Sequence, residues 1–243
     1  VGIADLVSGT GELGQLVSGE LDVDRMDYLV RDAHHTGVPY GTIDHGRLVR
    51  ELRFVDGELV LDEGNVQSAE SLLLARALMN PTVYRHHVAR ISKAMLRRGV
   101  ESVIEAGEAD PETVRRMDDY DLRTTLRDCE ETKAIVHRLD YRELFKRAVW
   151  AELDAIPPEL LDVCHAEIHD LERAIAEEAH VSPDKVILDI PSEPQMTESS
   201  SRVLVNGEIR TLADQSTLVA ALRAAQRDQW RLGVYAPAEE SER

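Results

Sequence analysis

A chain of 243 residues, of which 43% are hydrophobic, can form one large domain or two small ones with a buried core. Its 46 acidic and 28 basic residues give a formal net charge of −18, which argues against general nucleic-acid binding because that function requires a basic surface. No apolar run approaches the ~20 residues that span a bilayer, so no membrane partner is expected.

The first half of the chain has the apolar spacing of helices. Residues 3–18 are weakly amphipathic and rich in Gly, and residues 24–36 are predicted to form a helix that Gly37 and Pro39 end. The remaining predictions for this half are a short helix over 43–50, a hairpin over 52–61 around Asp56-Gly57, helices over 66–79 and 82–98 separated by Pro81, and shorter helices over 112–127 and 129–138.

The pattern changes near Leu139. The predictions for the second half are a strand over 144–153, a helix over 159–179 after Pro157-Pro158, a strand over 186–191, a polar loop over 193–201, a hairpin over 202–212 around Asn206-Gly207, a helix over 216–226, a strand over 230–235 and a disordered tail over 239–243. The predicted fold class is therefore α+β, with a mostly helical region over 1–138 and a smaller α+β region over 139–243.

The cysteines and the charge also indicate a compartment. Cys129 and Cys164 form neither a CxxC pair nor a disulfide framework, and the first residues have no secretory pattern, so a cytoplasmic protein is expected. Only Lys93, Lys133, Lys146 and Lys185 are lysines. Many carboxylates with few lysines are typical of salt-adapted proteins, and a merely acidic mesophilic protein is the alternative.

The segment after Asp22 carries the richest group of polar side chains. On a helix, Asp24, Tyr28, Arg31 and His35 share one face, and Arg25 and Asp32 share a neighbouring face. A carboxylate could hold a metal, guanidiniums could bind phosphate, and a phenol could bond a sugar hydroxyl. From composition alone, a solvated face with i, i+4 ion pairs is the commoner outcome.

The run SGELDVDRMDYLVRDAHHTGVPYG, residues 18–41, resembles the helix after the metal centre in HD-domain dNTP triphosphohydrolases. These include bacterial deoxynucleotide triphosphohydrolases and the vertebrate SAM-and-HD-domain enzyme. The similarity continues through Leu73-Leu74-Ala75-Arg76, through Pro81-Thr82-Val83-Tyr84-Arg85-His86-His87, through His137 to Arg142, and through the ILDIP and WRLGVY segments. The resemblance implies an HD-type helical region and a phosphohydrolase of (deoxy)nucleoside triphosphates.

The resemblance also implies roles for individual residues. They are a catalytic metal ligand for Asp24, phosphate contacts for Arg25 and Arg76, contacts near the sugar or base for Tyr28, Asp32, Tyr84 and Arg85, and structural roles for Asp27, Arg31 and His34. Arg85 replaces an amide side chain of the vertebrate enzyme, which leaves base or sugar selectivity open. A divalent metal ion (Mn, Mg, Fe or Zn), a nucleotide substrate and a homo-oligomer, dimeric or tetrameric, are expected by the same resemblance.

One departure from the family pattern limits the expected activity. The family's metal centre takes a His, then a His-Asp pair, then the late Asp, and no His precedes Asp24 here. We therefore expect this chain alone to be inactive unless another polypeptide supplies the missing ligands. The alternative is a catalytically inactive HD-family module for nucleotide binding or oligomerisation. An unrelated helical partner-binding protein is disfavoured by the Asp22–Asp32 spacing.

Several other motifs are interpreted as structural. The GxGxxG match over 9–14 lacks the βαβ unit of a dinucleotide site. His165 and His169 have zinc-ligand spacing, but a helix face is the preferred interpretation, and His169-Asp170 lies too far downstream for the HD pair. The basic residues Arg85, Arg90, Lys93, Arg97 and Arg98 indicate either a solvated face or an anion site.

Overall fold

The structure is a computed structural model, and it describes residues 2–10, 13–19, 21–192 and 201–241. The predicted polar loop over 193–201 falls almost wholly outside these residues. In the described part of the chain, no helix is long and apolar enough to cross a membrane. Helices dominate the first half and sheets enter the second, which confirms the predicted α+β fold class.

The helices and strands follow one another along the chain with short 3-10 turns in between. They are α1 (Ile3–Val7), α2 (Gly14–Val17), α3 (Val23–Thr36), α4 (His45–Glu51), β1 (Leu52–Val55), β2 (Glu58–Asp62), α5 (Val66–Met79), α6 (His87–Glu105), α7 (Pro111–Arg116), α8 (Asp119–Asp128), α9 (Lys133–Asp140), β3 (Lys146–Glu152), α10 (His165–Ala179), β4 (Ile187–Asp189), β5 (Arg202–Val205), β6 (Glu208–Thr211), α11 (Leu212–Gln215), α12 (Thr217–Asp228) and β7 (Arg231–Ala236).

The chain divides into two compact units. Unit 1 comprises Val1–Arg85 and Glu193–Gln229, and unit 2 comprises His86–Ser192 and Trp230–Arg243. Each unit is therefore built from two separate stretches of sequence. The division predicted between residues 138 and 139 stays a prediction.

Unit 1 has a sheet in which the described strands lie in the order β1-β2-β5-β6. Its two hairpins turn at residue pairs with positive φ, 51° and 82° at Asp56 and Gly57, and 50° and 85° at Asn206 and Gly207. Such values belong to two-residue type I′ turns, which Asp-Gly and Asn-Gly favour. Both predicted hairpins are confirmed, and the parallel pairing of β2 with β5 joins them.

The core of unit 1 forms around α5, which packs against α3, α4 and α12. Its apolar residues are almost completely buried: Leu29, Leu48, Leu61, Leu72, Leu73, Met79, Val203, Leu212 and Val219. Each such side chain stabilises the fold by about 1.5–3 kcal/mol. This packing fixes one side of α3 and leaves its other side available for polar chemistry.

Unit 2 combines helices with an antiparallel sheet in which the described strands lie in the order β3-β7-β4. Helix α6 packs against α8, α9 and β4, with Met95, Ile187 and Tyr235 buried in the core. Asp189 accepts hydrogen bonds from the Tyr235 hydroxyl and from Arg90 Nε, each at 2.8 Å. The polar end of this core is thus satisfied.

The structure corrects several predicted helix boundaries. The helix expected over 159–179 begins at His165, because Pro158–Leu161 forms a 3-10 turn and the Cys164 N–H donates to Glu167 Oε2 at 2.6 Å in an N-terminal cap. The helix expected over 112–127 is two helices, since Met117 has extended backbone angles, φ −67° and ψ 142°. In the weak helical pattern over 3–18, the described residues, 3–10 and 13–18, form the two short helices α1 and α2.

Two further expectations differ from the structure. The helix predicted over 82–98 begins at His87 and continues to Glu105, after a π-helical turn over Asn80–Tyr84 that contains Pro81. The tail was expected to be disordered from Glu239 onward, but Arg138 donates to Glu239 at 2.8 Å. Ion pairing across about one hundred residues, which local composition does not reveal, holds that part of the tail.

Candidate functional site

Helix α3 organises the candidate site in unit 1. It begins after Asp22, whose side chain accepts from the Arg25 N–H at 2.7 Å, and it ends at Gly37, whose φ of 73° suits glycine. The predicted end of this helix is therefore confirmed. Its apolar side, with Met26 and Leu29, is buried in the core.

The polar side of α3 is divided between half-buried and exposed residues. Arg25, Tyr28 and Asp32 are half-buried and follow one another at helical spacing. Arg31 and His35 were expected on the same face as Tyr28, but both are exposed. The Arg31 guanidinium pairs with Asp27 at 3.0 Å on the same helix, which agrees with a structural role for both residues.

Tyr84 connects the end of the π-helical turn to α3. Its hydroxyl donates to Asp32 Oδ2 at 2.9 Å, and its ring meets the Tyr28 ring edge-on, with centroids 5.8 Å apart and an interplanar angle of 82°. Burial raises the pKa of the Tyr84 phenol, and the hydrogen bond to the Asp32 carboxylate raises it further. The phenol is therefore a neutral donor across the physiological pH range.

The charges of Arg25 and Arg85 act on Arg76 of α5. Burial lowers the pKa of Arg76, the positive charge of Arg25 lowers it further, and Arg85 acts in the same direction. Arg76 is half-buried on α5, and Arg85 follows Tyr84 directly. Tyr28 and Asp22 act on the Arg76 pKa in the opposite direction, so the region carries guanidiniums beside a carboxylate and a phenol.

Asp22 also contacts the polar residues of α3, although the sequence indicated only that it lies at the start of this helix. It is buried, and Arg25 Nε lies 3.5 Å from its Oδ2. Burial raises the pKa of the Asp22 carboxyl, which the Arg25 hydrogen bond and charge and the Arg76 charge oppose. Asp22 thereby restrains Arg25 beside Arg76. The sequence signal that could have identified its capping role is an Asp directly before the helical pattern, a preferred N-cap residue.

The predicted metal ligand Asp24 is exposed in the first turn of α3. Within the described residues it belongs to no group of three His, Cys, Asp or Glu side chains close enough to share an ion. A single carboxylate does not make a metal centre, so these residues do not by themselves fit one. The structure brings Tyr28, Asp32 and Tyr84 into contact, whereas Asp24 has no co-ligands within the part of the chain that is described.

The basic residues of α6 belong to the packing of unit 2. Arg90 pairs with Asp189 at 2.7 Å, and Arg98 pairs with the buried carboxylate of Glu172. Lys93 is exposed. These contacts favour a structural role for the arginines of this helix over an anion site, and Arg85 is the member of the predicted basic set that joins the cluster on α3.

One cavity of unit 1, of about 370 Å³, adjoins α3 and is lined by its residues Val30, Ala33 and His34. Another cavity of about 310 Å³ is lined by residues of α2, β1, β2 and β5, including Gln15 and Glu58. Arg76 lines a small one of about 20 Å³ with Asn80 and Gln226. Of the residues that the sequence singled out, Arg76 and His34 therefore each line a cavity of unit 1.

The chain is similar to one protein family over most of its length and to several individual proteins. A family model described as "HD associated region" matches residues 43–243. The chain is 32% identical over 235 residues to Uncharacterized protein MJ1154 of Methanocaldococcus jannaschii, which covers 93% of this chain and 51% of that protein. It is 36% identical over 97 residues to Uncharacterized protein YwfO of Bacillus subtilis, covering 39% of this chain and 22% of that protein.

Two solved structures share the fold. A phosphohydrolase from Bacteroides thetaiotaomicron matches with a TM-score of 0.69 at 22% identity, covering 96% of this chain and 66% of that one. A hypothetical protein from Aquifex aeolicus matches with a TM-score of 0.75 at 24% identity, covering 98% of this chain and 63% of that one. The chain thus spans about half to two thirds of the length of these two structures and MJ1154.

Proposed function

We propose that this chain, which belongs to the HD associated region family, forms the nucleotide-binding part of a metal-dependent phosphohydrolase of (deoxy)nucleoside triphosphates. The observation that carries the proposal is the Tyr84–Asp32 hydrogen bond on α3, the helix whose first turn also places Arg25 beside Asp22. The charges of Arg25 and Arg85 also act on Arg76. The phosphohydrolase name of the Bacteroides thetaiotaomicron structure supports the reaction class. The dNTP substrate rests on the sequence resemblance and on these residues.

The three guanidiniums would bind the polyphosphate. A triphosphate carries several negative charges, and arginine's planar fork can donate two parallel hydrogen bonds to phosphate oxygens. Arg76 is half-buried, so its charge is screened less by salt than that of a surface arginine. Charge that develops on the phosphate during hydrolysis would be stabilised by the same groups.

Tyr28, Tyr84 and Asp32 would bind the sugar side of the nucleotide. The Tyr84 hydroxyl donates to Asp32 Oδ2, and the other Asp32 oxygen can accept from a sugar hydroxyl. The edge-on packing of the two tyrosine rings fixes the direction of the phenol. Sugar recognition would therefore depend on a preorganised pair rather than on a mobile side chain.

Asp24 would complete a metal centre with ligands that lie outside the described residues. The described residues do not hold such an ion by themselves; the completed centre would supply the metal-assisted activation of water and of the phosphoryl group. The residues present here would bind and orient the substrate for that chemistry.

A second function follows from one observation, the absence of co-ligands next to Asp24 among the described residues. A module with intact phosphate and sugar contacts but no metal centre would bind nucleotides without hydrolysing them. Such a module would serve nucleotide sensing or oligomerisation.

One experiment separates the two functions. Nucleotide binding to this chain is measured by calorimetry, and product release from dNTPs with Mn²⁺ or Mg²⁺ is measured for this chain and for a version extended upstream. The hydrolase proposal predicts binding by both and turnover only by the extended version. Binding by both with turnover by neither supports the binding module, and binding by neither overturns both proposals.

A further inference from the structure

A group of three side chains that could bind a metal ion lies in unit 2, remote in sequence from α3. Glu101 on α6 faces His165 and His169 near the start of α10, and one ligand atom from each residue lies within 4.8 Å of the others. We propose that these three residues bind a divalent transition-metal ion of the zinc class. The proposal is independent of the nucleotide site, since it uses none of its residues.

The distances suit a tetrahedral ion. His165 Nε2 lies 3.4 Å from Glu101 Oε1, and His169 Nε2 lies 3.8 Å from Glu101 Oε2. Ligand atoms bound at 2.0–2.2 Å to a tetrahedral zinc lie about 3.3 Å from one another. Small side-chain rotations therefore bring both imidazoles and the carboxylate onto one ion. The two rings are four residues apart on α10, the spacing that places them on one side of a helix.

The second imidazole nitrogen of His169 is already held by a carboxylate. His169 Nδ1 lies 3.0 Å from Glu172 Oε2, so with the proton on Nδ1 the ring donates to Glu172 and presents the lone pair of Nε2 toward Glu101. Carboxylate–histidine–metal arrangements of this kind fix the tautomer and raise the basicity of the ligand. This hydrogen bond is a separate observation that points to a ligand on Nε2.

Glu172 is itself rigidly placed for this role. Its side chain is only 4% exposed, the Leu188 N–H donates to its Oε1 at 2.8 Å, and Arg98 pairs with its Oε2. A carboxylate held from two other elements keeps the His169 ring in one orientation. The support of the proposed ligand thus extends into the sheet of unit 2.

The local charges restrict which ions can bind. Arg97 and Arg98 each approach Glu101 at 3.5 Å and oppose a cation, whereas Glu101 and Glu172 attract one. Two imidazoles and one carboxylate are the donor set of zinc sites that keep a position for water, and they disfavour Mg²⁺ and Ca²⁺, which prefer oxygen ligands. The His165 side chain is 60% exposed, so an ion can enter from solvent.

The test is zinc and cobalt titration of the 243-residue chain. We expect the unmodified chain to bind one Zn²⁺, and His165→Ala to lower the Zn²⁺ affinity by about 100-fold. Bound Co²⁺ should give a visible absorption band, and the same substitution should remove that band. His137→Ala is the matched control, because His137 is an exposed histidine of the same unit outside the group. Glu101→Gln, which keeps the shape of the side chain, should also weaken Zn²⁺ binding.

Circular dichroism of each variant shows whether it is folded. Unchanged Zn²⁺ affinity in folded His165→Ala overturns the proposal, as does a failure of the unmodified chain to bind Zn²⁺ at about 0.1 mM. An equal loss of affinity in His137→Ala also overturns it, because the binding would then not be specific to this group.

Discussion

The hydroxyl of Tyr84 donates a 2.9 Å hydrogen bond to Asp32 Oδ2, which joins two parts of unit 1 that are 52 residues apart in sequence. Tyr84 is the last residue of the π-helical turn that contains Pro81, and Asp32 lies near the end of α3. The bond therefore couples the geometry of that turn to the helix that carries the predicted substrate residues. Its properties can be measured without knowing the substrate.

Tyr84→Phe should lower the free energy of unfolding by about 1 kcal/mol, because it removes a hydrogen bond to a half-buried carboxylate. Urea denaturation measures the change. Tyr120→Phe is the control, since the Tyr120 side chain lies almost fully in solvent and its substitution should have no effect. Equal stability of Tyr84→Phe and the unmodified chain would contradict the geometry.

Stability should also fall at alkaline pH. The pKa values of Tyr84 and Tyr235 are raised in the folded state, in both cases chiefly by burial and further by a neighbouring aspartate. Because these pKa values are raised, the two tyrosines contribute fully to the free energy of unfolding below the ordinary tyrosine pKa of about 10. That contribution is lost as the pH rises above this value. The decrease in the free energy of unfolding between pH values of about 9 and 11 should therefore be smaller in Tyr84→Phe than in the unmodified chain. Parallel curves of unfolding free energy against pH for the two proteins would contradict this prediction.

Arg76→Gln should weaken dATP binding by about 10- to 100-fold, because a charged hydrogen-bond donor contributes about 1.5–3 kcal/mol. Isothermal calorimetry at fixed salt measures the affinity. Arg53→Gln is the matched control, since Arg53 lies in the same unit, is exposed and pairs with Asp62. A comparable loss in both variants would show that general surface charge, and not the α3 cluster, attracts the nucleotide.

Substitution of Asp22 should lower the stability of the fold more than substitution of Asp24. Asp22→Ala removes the N-cap of α3 and should cost about 1 kcal/mol, while Asp22→Asn should retain most of the stability because Asn caps equally well. Asp24→Ala changes an exposed first-turn residue and should cost about 0.5 kcal/mol or less. Thermal unfolding of the three variants gives the order, and a larger loss for Asp24→Ala would reverse the two assigned roles.

Salt should stabilise this acidic protein. With a net charge of −18, self-repulsion opposes folding until ions screen it. We propose that the melting temperature rises from about 0.1 M to about 2 M KCl, where screening is nearly complete. Equal melting temperatures in the two solutions would favour an acidic protein without salt adaptation.

Local sequence signals were sufficient for the elements they specify directly. Asp56-Gly57 and Asn206-Gly207 predicted their hairpins, and Gly37 predicted the end of α3, because the required positive φ is a property of those residues. The parallel pairing of β2 with β5 was not predictable, since it joins strands about 140 residues apart through no local pattern. Long-range pairings depend on the whole core.

The same distinction applies to the two sites. Helical spacing placed Arg25, Tyr28 and Asp32 on adjoining faces, but their contacts with α5 and Tyr84 depend on tertiary packing. His165 and His169 were interpreted as a helix face because Ala166 stands where the zinc-protease motif has Glu. The proposed third ligand, Glu101, is 64 residues earlier in the sequence. A ligand from another helix leaves no spacing signal next to the histidines.

Hydrolysis of dNTPs by this chain and by a version extended upstream, each beside its Asp24→Ala variant, tests the central claim most directly. With Mn²⁺ or Mg²⁺ present, we expect turnover by the extended version alone and its loss on Asp24→Ala, with all four proteins folded. Turnover that survives Asp24→Ala, or no turnover of any dNTP by the folded extended version, would contradict the proposal that Asp24 serves a phosphohydrolase.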